Sequence, residues 1–314
     1  MSRVAYLGPE GTFTEAALLQ MAAGGVIPGA SAGDSELTPL PCDSAEGALA
    51  AVRAGAADYA CAPIENSIDG SVVPTMDSLA VGAPLQIFAE LTLDVAFSIA
   101  VRAGTQATSV ETIAAFPVAA AQVKRWLAEH LPDAHTVPTT SNAAAAHDVA
   151  EGRADAGVST ALAAQRLGLV TLADGVVDEA NARTRFVLVG RPAPPPARTG
   201  TDRTSVVLRL DNVPGALVSA MTEFAIRDID LTRIESRPTR IELGTYVFFL
   251  DCVGHIDDDP VAEALRALHR RCADVRYLGS WSIGAADGGP IGARPPVTDE
   301  AAEWLAGLRE GRAR

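Results

Sequence analysis

The first 190 residues alternate short apolar runs with longer stretches in which apolar positions recur every three or four residues. Short runs of this kind predict strands, and the longer periodic stretches predict helices. The predicted strands are 4–7, 59–63, 94–101, 156–158 and 186–190, and the predicted helices are 14–22, 45–54, 119–130, 142–151 and 161–167. The alternation is typical of an α/β domain with mostly parallel strands, in which ligands bind at loops beyond the carboxyl ends of the strands.

Residues 204–281 follow a different order, strand–helix–strand–strand–helix–strand. Pro214 and Pro260 stand where the first turns of the two helices are predicted, which is a favourable position for proline. The order βαββαβ predicts a ferredoxin-like plaited sheet. Because two helices cover only one face of such a sheet, the other face or an edge needs a cover, and this favours self-association.

A stiff linker separates these two regions. Residues 191–203 contain four prolines and few apolar positions, which predicts an extended segment. We therefore expect a first domain at 1–190, a linker at 191–203, a second domain at 204–281 and a tail at 282–314. In the tail, residues 299–310 predict a short amphipathic helix with Trp304, Leu305 and Leu308 on one face, which would either dock on a neighbouring surface or fray.

Composition narrows the function classes. The chain has 314 residues and a net charge of −14, so it repels polyanions, and a nucleic-acid partner is not expected. A small anionic substrate would need a local positive potential. The four cysteines form no C-x-x-C pair, the five histidines show no metal-binding spacing, and no apolar run is long enough to span a membrane. These features, with no secretory signal at the N-terminus, predict a cytoplasmic protein that needs no metal.

Two polar loops of the first domain could carry chemistry. Residues 8–14 (G-P-E-G-T-F-T) join a predicted strand to a helix, and Thr12 can cap that helix beside the flexible Gly11. Residues 63–72 place Glu65, Asn66 and Ser67 in a turn directly after a strand. The first loop could bind a carboxylate at a helix start or be an ordinary capped turn, and the second could be a site or a solvated turn.

Two further loops share this ambiguity. In residues 139–146, Ser141 or Asn142 caps an alanine-rich helix whose start is open to a small anion. In residues 179–189, Arg183 and Arg185 flank Thr184 just before the closing strand, which is a candidate anion clamp. Because strand side chains alternate, the two arginines should share one face and Thr184 should face the other way, unless the backbone bends.

Taken together, these loops resemble those of the prephenate dehydratase family. The matching segments are Y-L-G-P-E-G-T-F-T-E-A-A, A-P-I-E-N-S-I-D-G-S-V, T-S-N-A-A-A-A and N-A-R-T-R-F-V-L-V-G. The second domain looks like an ACT regulatory module, with G-A-L-V at 215–218 and E-S-R-P at 235–238. The resemblance covers about residues 3–281 and implies a two-lobed catalytic domain similar to periplasmic binding proteins. The chain would cross between the lobes near 80–92 and 155–175.

The resemblance also implies a reaction, the loss of water and CO2 from prephenate to give phenylpyruvate in phenylalanine biosynthesis. Aromatisation drives the elimination, so no cofactor is expected, and the rate depends on helping a poor leaving group, hydroxide. Thr184 would hydrogen-bond that hydroxyl, with Glu65 or a water completing a relay. Asn66, Ser67 and Ser159 would orient the substrate. Arg185 and the helix starts near Gly11, Thr12, Ser141 and Asn142 would neutralise its carboxylates, and Phe186 completes the T-R-F signature.

For the ACT module, the resemblance implies phenylalanine as an allosteric effector between two protomers, in a homodimer or homotetramer; whether tyrosine also acts is left open. The effector would lie near Gly215, Ala216, Leu217 and Val218 of one segment and Glu235, Ser236, Arg237 and Pro238 of the other. Two alternatives stay open at this stage. One is an arogenate dehydratase, which acts on the aminated substrate, and the other is a sensor that binds anions or amino acids without catalysis.

Overall fold

A computed structural model describes residues 2–28, 37–179 and 182–283 of the chain. The predicted tail helix at 299–310, with Trp304, Leu305 and Leu308, lies outside the described residues. Over the described ranges, the chain forms two α/β lobes followed by a separate C-terminal domain.

The first lobe is built on the strand–helix alternation that the sequence predicts. It contains β1 (Ser2–Leu7), α1 (Phe13–Ala23), β2 (Leu37–Cys42), α2 (Ala45–Arg53), β3 (Tyr59–Asn66), β4 (Gly70–Ser71), α3 (Val73–Ala80) and β5 (Gln86–Asp94). Helix α1 packs on one face of this sheet, while α2 and α3 contribute to the core on the other face. The pattern therefore predicted α1 and α2 closely, but β2, α3 and most of β5 were missed.

The second lobe begins after a crossing between Asp94 and Phe97. It contains β6 (Phe97–Val101), β7 (Thr112–Ala115), α4 (Pro117–Gln122), α5 (Lys124–His130), β8 (His135–Pro138), α6 (Asn142–Ala150), β9 (Ala156–Ser159), α7 (Ala161–Arg166) and β10 (Val170–Val176). The chain then returns to the first lobe as β11 (Arg183–Gly190). Both crossings thus lie downstream of the expected positions near 80–92 and 155–175, because β5 and β10 extend each lobe further than the sequence pattern indicated.

Both sheets of the first domain are mixed. The first has the strand order β2-β1-β3-β11-β5, with β4 paired to β3, and the second has the order β10-β6-β9-β7-β8. Strand β11 is antiparallel to both β3 and β5, and β6 is antiparallel to both β9 and β10. The expectation of mostly parallel strands is therefore wrong, since the strands that enter and leave the second lobe run against their neighbours.

The C-terminal domain has the predicted βαββαβ order. Its elements are β12 (Asp202–Arg209), α8 (Ala216–Ala225), β13 (Leu231–Pro238), β14 (Tyr246–Val253), α9 (Asp259–Arg271) and β15 (Asp274–Ser282), with strand order β13-β14-β12-β15. Residues on one sheet face, among them Val206 and Leu250, pack under α8 and α9. This plaited arrangement confirms the predicted fold.

The opposite face of the C-terminal sheet packs on the first lobe of the same chain. Val207, Phe249 and Trp281 join Ile87 and Val189 in one continuous apolar core. The approach is close at Gly279, where a Cβ atom would lie 2.3 Å from the carbonyl oxygen of Ile87. The cover expected for the other face or an edge is therefore, at this face, the first lobe of the same chain, while self-association stays a prediction. Among the described residues, no helix is both long and apolar enough to span a membrane.

Candidate active site

The polar loops singled out in the sequence meet at one edge of the two sheets. Strands β1 and β3 end at Leu7 and Asn66, and β9 of the second lobe ends at Ser159. The antiparallel β11 begins at this same end, since Thr184 pairs with Asn66 across the strands. Ends of parallel strands are the usual ligand position in open α/β sheets. The topology therefore predicts that a ligand binds in the space between the lobes.

A cavity of about 810 Å³ lies in this space. Its walls come from both lobes: Leu7–Thr14 without Gly11, Pro41–Asp43, Phe116, Thr140–Asn142 and His147. The structure thus brings together Thr12 of the 8–14 loop with Ser141 and Asn142 of the 139–146 loop. Cys42, Phe116 and His147 also line the cavity and were missed, because nothing in their local sequence marks them.

Two helix starts border this cavity from opposite lobes. The hydroxyl of Thr12 accepts a hydrogen bond from the Glu15 amide at 3.4 Å and caps α1. The hydroxyl of Ser141 accepts one from the Ala144 amide at 3.0 Å and caps α6. A helix start carries a partial positive charge and N–H groups without intrahelical partners, so the two starts favour an anion between them.

Asn142 is the first residue of α6 and borders the cavity directly. Its side-chain oxygen is buried and has no hydrogen-bond partner within the described residues. Its backbone carbonyl accepts a hydrogen bond of 2.9 Å from the hydroxyl of Ser159. Ser159 is fully buried, which contradicts the expectation that it orients the substrate directly. It instead holds the start of α6 in place.

Charged side chains contribute little positive potential to the cavity. Its walls include the carboxylates of Glu10 and Asp43, while none of the described lining residues is an arginine or lysine. Burial raises the pKa of the Cys42 thiol, so this cysteine stays protonated and is a poor nucleophile. The attraction for an anion must therefore come mainly from backbone N–H groups and neutral side chains.

A close contact at Gly11 holds the lobes together. Gly11 has a φ of +85°, and a Cβ atom there would lie 2.7 Å from the Cβ of Ala163 in the second lobe. The hydroxyl of Thr160 donates to the Gly11 carbonyl. Gly11 is a predicted substrate residue, and its contacts within the described residues include this close approach to the second lobe.

Glu15 reinforces the same junction and was missed by the sequence analysis. Its carboxylate is nearly fully buried and accepts hydrogen bonds from the Gly11 amide at 2.6 Å and from Arg166 of the second lobe at 2.7 Å. The spacing T-x-x-E from Thr12 to Glu15 is that of a capping box, and this signal could have identified Glu15. Phe13 adds an edge-to-face contact with Phe97, with ring centroids 5.6 Å apart.

Thr184, at the start of β11, is hydrogen-bonded to Asn66 of β3. The Asn66 side-chain nitrogen donates to the Thr184 hydroxyl oxygen at 2.9 Å. The Asn66 side-chain oxygen accepts from the amides of Ile68 and Asp69 at 2.8 and 3.0 Å, which fixes the orientation of the amide group. Thr184 is 9% exposed and is not in the lining of the 810 Å³ cavity, although it lies at the same edge of the sheet.

Ser67 is held against the return strand. Its hydroxyl accepts a hydrogen bond from the Arg183 amide, and its own amide donates to the Arg183 carbonyl, both at 2.8 Å. This pair of bonds joins the 63–72 loop to the first residue of β11. Ser67 therefore fixes the position of Thr184 rather than standing apart in a solvated turn.

The other two residues of the T-R-F segment, Arg185 and Phe186, make contacts away from the Thr184–Asn66 pair. Phe186 is 2% exposed and packs in the core with Tyr6 and Leu18, so its contacts are structural. The Arg185 side chain is 7% exposed and lies against the C-terminal domain. This placement contradicts the expectation that Arg185 meets a substrate carboxylate, because its guanidinium is already paired with three carboxylates.

We call this group of charges the interdomain ion cluster. It consists of three arginines and three carboxylates from both domains: Arg185, Glu65 and Glu90 of the first domain, and Arg203, Arg233 and Asp251 of the C-terminal domain. Glu65 accepts from Arg185 at 2.8 Å. Glu65 therefore faces away from Thr184, and the expected proton relay between these two residues is not present.

Burial and charge oppose each other within this cluster. Burial works to lower the pKa of Arg185, but Asp251, Glu90 and Glu65 outweigh it and raise that pKa. Burial works to raise the pKa of Asp251, but Arg233, Arg185 and the Ser205 hydroxyl outweigh it and lower that pKa. Both groups are therefore held in their charged forms.

The C-terminal domain has its own cavity of about 520 Å³ beside the start of α8. Gly215 caps this helix with a φ of +81° and no side-chain cap, and Ala216 and Leu217 line the cavity. Glu235 and Arg237, in contrast, contact the first domain, through Ser71 at 3.2 Å and Asp77 at 3.0 Å. The second predicted effector segment, residues 235–238, is therefore not part of the lining of this cavity.

Comparisons with known proteins agree with this architecture. The sequence profile of the prephenate dehydratase family matches residues 4–194, and that of the ACT domain matches residues 204–270. A prephenate dehydratase of Mycobacterium sp. strain JLS is 74% identical over 99% of this chain and 97% of its own length.

Two solved structures are similar over most of the chain. The crystal structure of an Arthrobacter aurescens prephenate dehydratase in complex with L-Phe has 40% identity, a TM-score of 0.82 and coverage of 98% of this chain and 100% of its own. GqqA, described as a novel type of quorum-quenching acylase, has 30% identity, a TM-score of 0.79 and coverage of 91% and 99%. Since this fold is found with more than one described activity, the side chains at the cleft must carry the functional argument.

Proposed function

The chain belongs to the prephenate dehydratase family, and we propose that its Thr184–Asn66 pair assists the departure of hydroxide from prephenate. In the reaction of this family, the bond between the ring and its carboxylate breaks and its electron pair enters the ring. The C–O bond to the ring hydroxyl breaks as well, and the departing hydroxide takes up a proton to become water. The products are phenylpyruvate, CO2 and water. Formation of the aromatic ring supplies the driving force, so the enzyme mainly has to assist the leaving group.

The hydrogen bond between Asn66 and Thr184 is the observation that carries this proposal. A hydroxyl group has one proton to donate and two lone pairs that accept. Because the Asn66 nitrogen donates to the Thr184 oxygen at 2.9 Å, that oxygen acts as an acceptor and its own proton is available for another group. In our proposal, the Thr184 hydroxyl keeps its proton and donates a hydrogen bond to the ring hydroxyl of prephenate, where negative charge develops as the C–O bond breaks. The proton that converts the departing hydroxide to water comes from solvent.

The cleft has two helix starts, and the substrate has two carboxylates that they could bind. The starts of α1 and α6 face one cavity from opposite lobes, capped by Thr12 and Ser141. We propose that each start binds one anionic group, and that Ser159 and Ser67 act through the backbone by holding α6 and β11. The contacts at Gly11 and Glu15 keep the lobes closed, which excludes water from the reacting groups.

Substitution of Thr184 tests the proposal. Thr184→Ala removes the donor and should lower kcat for prephenate by about 10²–10⁴-fold, the usual contribution of a positioned proton donor. Thr184→Ser retains the hydroxyl and should keep most of the activity. Phenylpyruvate formation would be followed at saturating prephenate, with the melting temperature of each variant measured in parallel. Turnover of Thr184→Ala within a few-fold of the unmodified chain would contradict the proposal.

The same assay separates the other interpretations of the cleft. Arogenate differs from prephenate by an ammonium in place of a keto group, and its dehydration would yield phenylalanine. Offering both substrates to the purified protein determines which has the larger kcat/KM. A protein that binds prephenate but releases no CO2 from either substrate would be a sensor rather than an enzyme.

We further propose that phenylalanine binds the ACT domain at the start of α8 and regulates turnover. Gly215 leaves the first amides of this helix without a side-chain cap, and these amides can donate hydrogen bonds to a carboxylate. The adjacent cavity of 520 Å³ is large enough for an aromatic side chain. The Arthrobacter aurescens relative with L-Phe bound supports the choice of ligand.

A dimer would complete this regulatory site. Val218 of α8 and Ile234 of β13 are apolar yet 69% and 54% exposed, so a second ACT domain would cover them. We propose a homodimer or homotetramer on this basis, and a cytoplasmic location because the four cysteines are free thiols. Equilibrium dialysis with labelled phenylalanine, combined with sedimentation of the protein, tests both points. The absence of saturable binding, or a monomer at micromolar concentration, would contradict them.

A further inference from the structure

The interdomain ion cluster joins the T-R-F segment to the regulatory domain within one chain. Arg185 lies next to Thr184 on β11, and Glu65 lies next to Asn66 on β3. The two strands pair Thr184 with Asn66 and Arg185 with Glu65 in consecutive positions. One pair faces the proposed reaction site and the other faces the ACT domain, because neighbouring strand residues alternate in direction. A shift of the second pair would therefore displace the first.

Asp251 is the ACT group that contacts Arg185. One of its oxygens accepts hydrogen bonds from Arg185 at 2.9 Å and from Arg233 at 3.0 Å, and the other accepts from the Ser205 hydroxyl at 2.7 Å. Asp251 is 1% exposed. Glu90 supports the opposite side of Arg185 at 3.3 Å and also accepts from the Trp281 indole at 3.0 Å. The ACT domain thus reaches Arg185 both directly and through Glu90.

Other contacts hold the two domains together independently of Asp251. Arg237 forms a two-point ion pair with Asp77 at 3.0 and 3.2 Å. Arg276 donates to the carbonyls of Leu79, Val81 and Gly82 at 3.1 Å, in and just after the last turn of α3. Since these bonds and the apolar core between the domains do not involve Asp251, its neutralisation should leave the ACT domain docked.

We propose that Asp251 is a positioning residue for the dehydration, which acts through Arg185 and Glu65 to hold the Thr184–Asn66 pair in its reactive geometry. The inference rests on the proposed function of Thr184. It assigns the ACT domain a part in basal catalysis, in addition to effector binding. The catalytic strand is correctly placed only while the regulatory domain supplies its carboxylate.

The kinetic test compares two neutralised acids of the ACT domain. Asp251→Asn should lower kcat for prephenate by about 10- to 100-fold, since small misplacements of reacting groups cost about that much. KM should change by less than about threefold, because neither helix start at the cleft is altered. Asp251→Glu keeps the charge and should restore part of kcat. A kcat for Asp251→Asn equal to that of the unmodified chain would overturn the proposal.

Glu223→Gln is the matched control. Glu223 is 4% exposed and pairs with Arg227 at 2.7 Å and Arg271 at 2.6 Å, both within the ACT domain. The substitution should therefore destabilise the domain in a similar way without lowering kcat. An equal fall of kcat in both variants would mean that general loss of ACT stability causes the effect, and would overturn the proposal.

Trp281→Phe is a second probe that removes no charge, and it is suited to the case in which Asp251→Asn does not fold. It deletes one hydrogen bond to Glu90 and should lower kcat by about threefold, as expected for one hydrogen bond. An unchanged kcat in this variant would count against the proposal.

Hydrogen exchange supplies a readout that does not depend on turnover. The amides of peptides 63–72 and 182–190 should exchange faster in Asp251→Asn than in Glu223→Gln, because the β3–β11 pairing loosens only in the former. Equal exchange in the two variants would contradict the positioning role. If the unmodified chain fails to convert prephenate, the proposed function is wrong, while the exchange experiment still tests the role of Asp251.

Discussion

The inter-lobe cleft and the interdomain ion cluster differ in the source of their positive charge. The described walls of the cleft include no arginine or lysine, and its positive potential comes from the capped starts of α1 and α6. The cluster gathers three arginines and three carboxylates, and five of these six side chains are less than a tenth exposed. The arginine of the T-R-F segment belongs to the cluster and not to the cleft. In this chain, a buried cluster of paired charges connects the two domains, whereas the proposed substrate site uses backbone dipoles.

Strand β11 is the element that separates the two regions. Thr184 reaches Asn66 on one face of the strand, and Arg185 reaches Asp251 on the other. A helix start suits an exchangeable dianion because it adds no mobile charged side chain to the cleft. A buried ion pair suits a permanent contact, because removing one partner leaves a costly uncompensated charge. If the two regions differ in this way, substitutions in each of them should have distinct effects on stability and on activity.

The largest effect is expected when the cluster loses a charge. Asp251→Asn should lower the free energy of unfolding at neutral pH by about 3–5 kcal/mol, the usual consequence of breaking a buried ion pair. Burial would raise the pKa of Asp251, but Arg233 and Arg185 outweigh burial and hold that pKa below its ordinary value. The stabilisation from Asp251 is therefore complete above the ordinary aspartate pKa of about 3.9 and is lost as the pH falls below it.

Urea unfolding of the variant and the unmodified chain at about pH 7 and about pH 3 measures this change. The difference between them should shrink at the acidic pH. Glu263→Gln is the control, because the Glu263 side chain is 44% exposed and, among the described residues, its ion pairs are with Arg266 and Arg270 of the same helix, α9. That control should leave the free energy of unfolding nearly unchanged. A difference for Asp251→Asn that is the same at both pH values would show that its charge is not the cause.

The next largest effect is expected at the closure of the cleft. Gly11→Ala places a Cβ atom 2.7 Å from that of Ala163, so the lobes must separate slightly. We expect kcat/KM for prephenate to fall by about 100-fold, since the two helix starts move apart. Gly104→Ala is a close match, with a φ of +86° against +85° and no atom within 4 Å of the added carbon. Both variants carry the same backbone strain, so equal activity losses would refute the closure argument.

The smallest of the three effects is expected from a charge added to the cleft. Asn142→Asp places a carboxylate at the start of α6, where it stabilises the helix but repels an anionic substrate. KM for prephenate should rise by about tenfold at low salt and by less at high salt, because exposed charges are screened. Ala161→Asp adds the same charge at the start of α7, outside the cavity lining, and should leave KM unchanged. A KM for Asn142→Asp that does not respond to salt would argue against this view of the cleft.

Local patterns explain which parts of the fold were predictable. The C-terminal βαββαβ order followed from strong strand and helix signals, with Pro260 in the first turn of α9. Strands β5 and β10 were missed because each continues a lobe where the sequence shows no clean alternation. The capping positions of Thr12 and Ser141 were predictable, since a cap depends on residues within one helical turn.

Local sequence was enough to predict the order of the elements in the C-terminal domain, the helix caps and the alternation of Thr184 and Arg185 on opposite sides of a strand. Each of these depends on residues close together along the chain. The three-dimensional packing was needed to show which side of β11 meets Asn66 and which meets the C-terminal domain. That choice depends on Asn66 and Asp251, which lie 118 and 66 positions away from Thr184 and Arg185. Alternation specifies two faces but carries no information on what is packed against each of them.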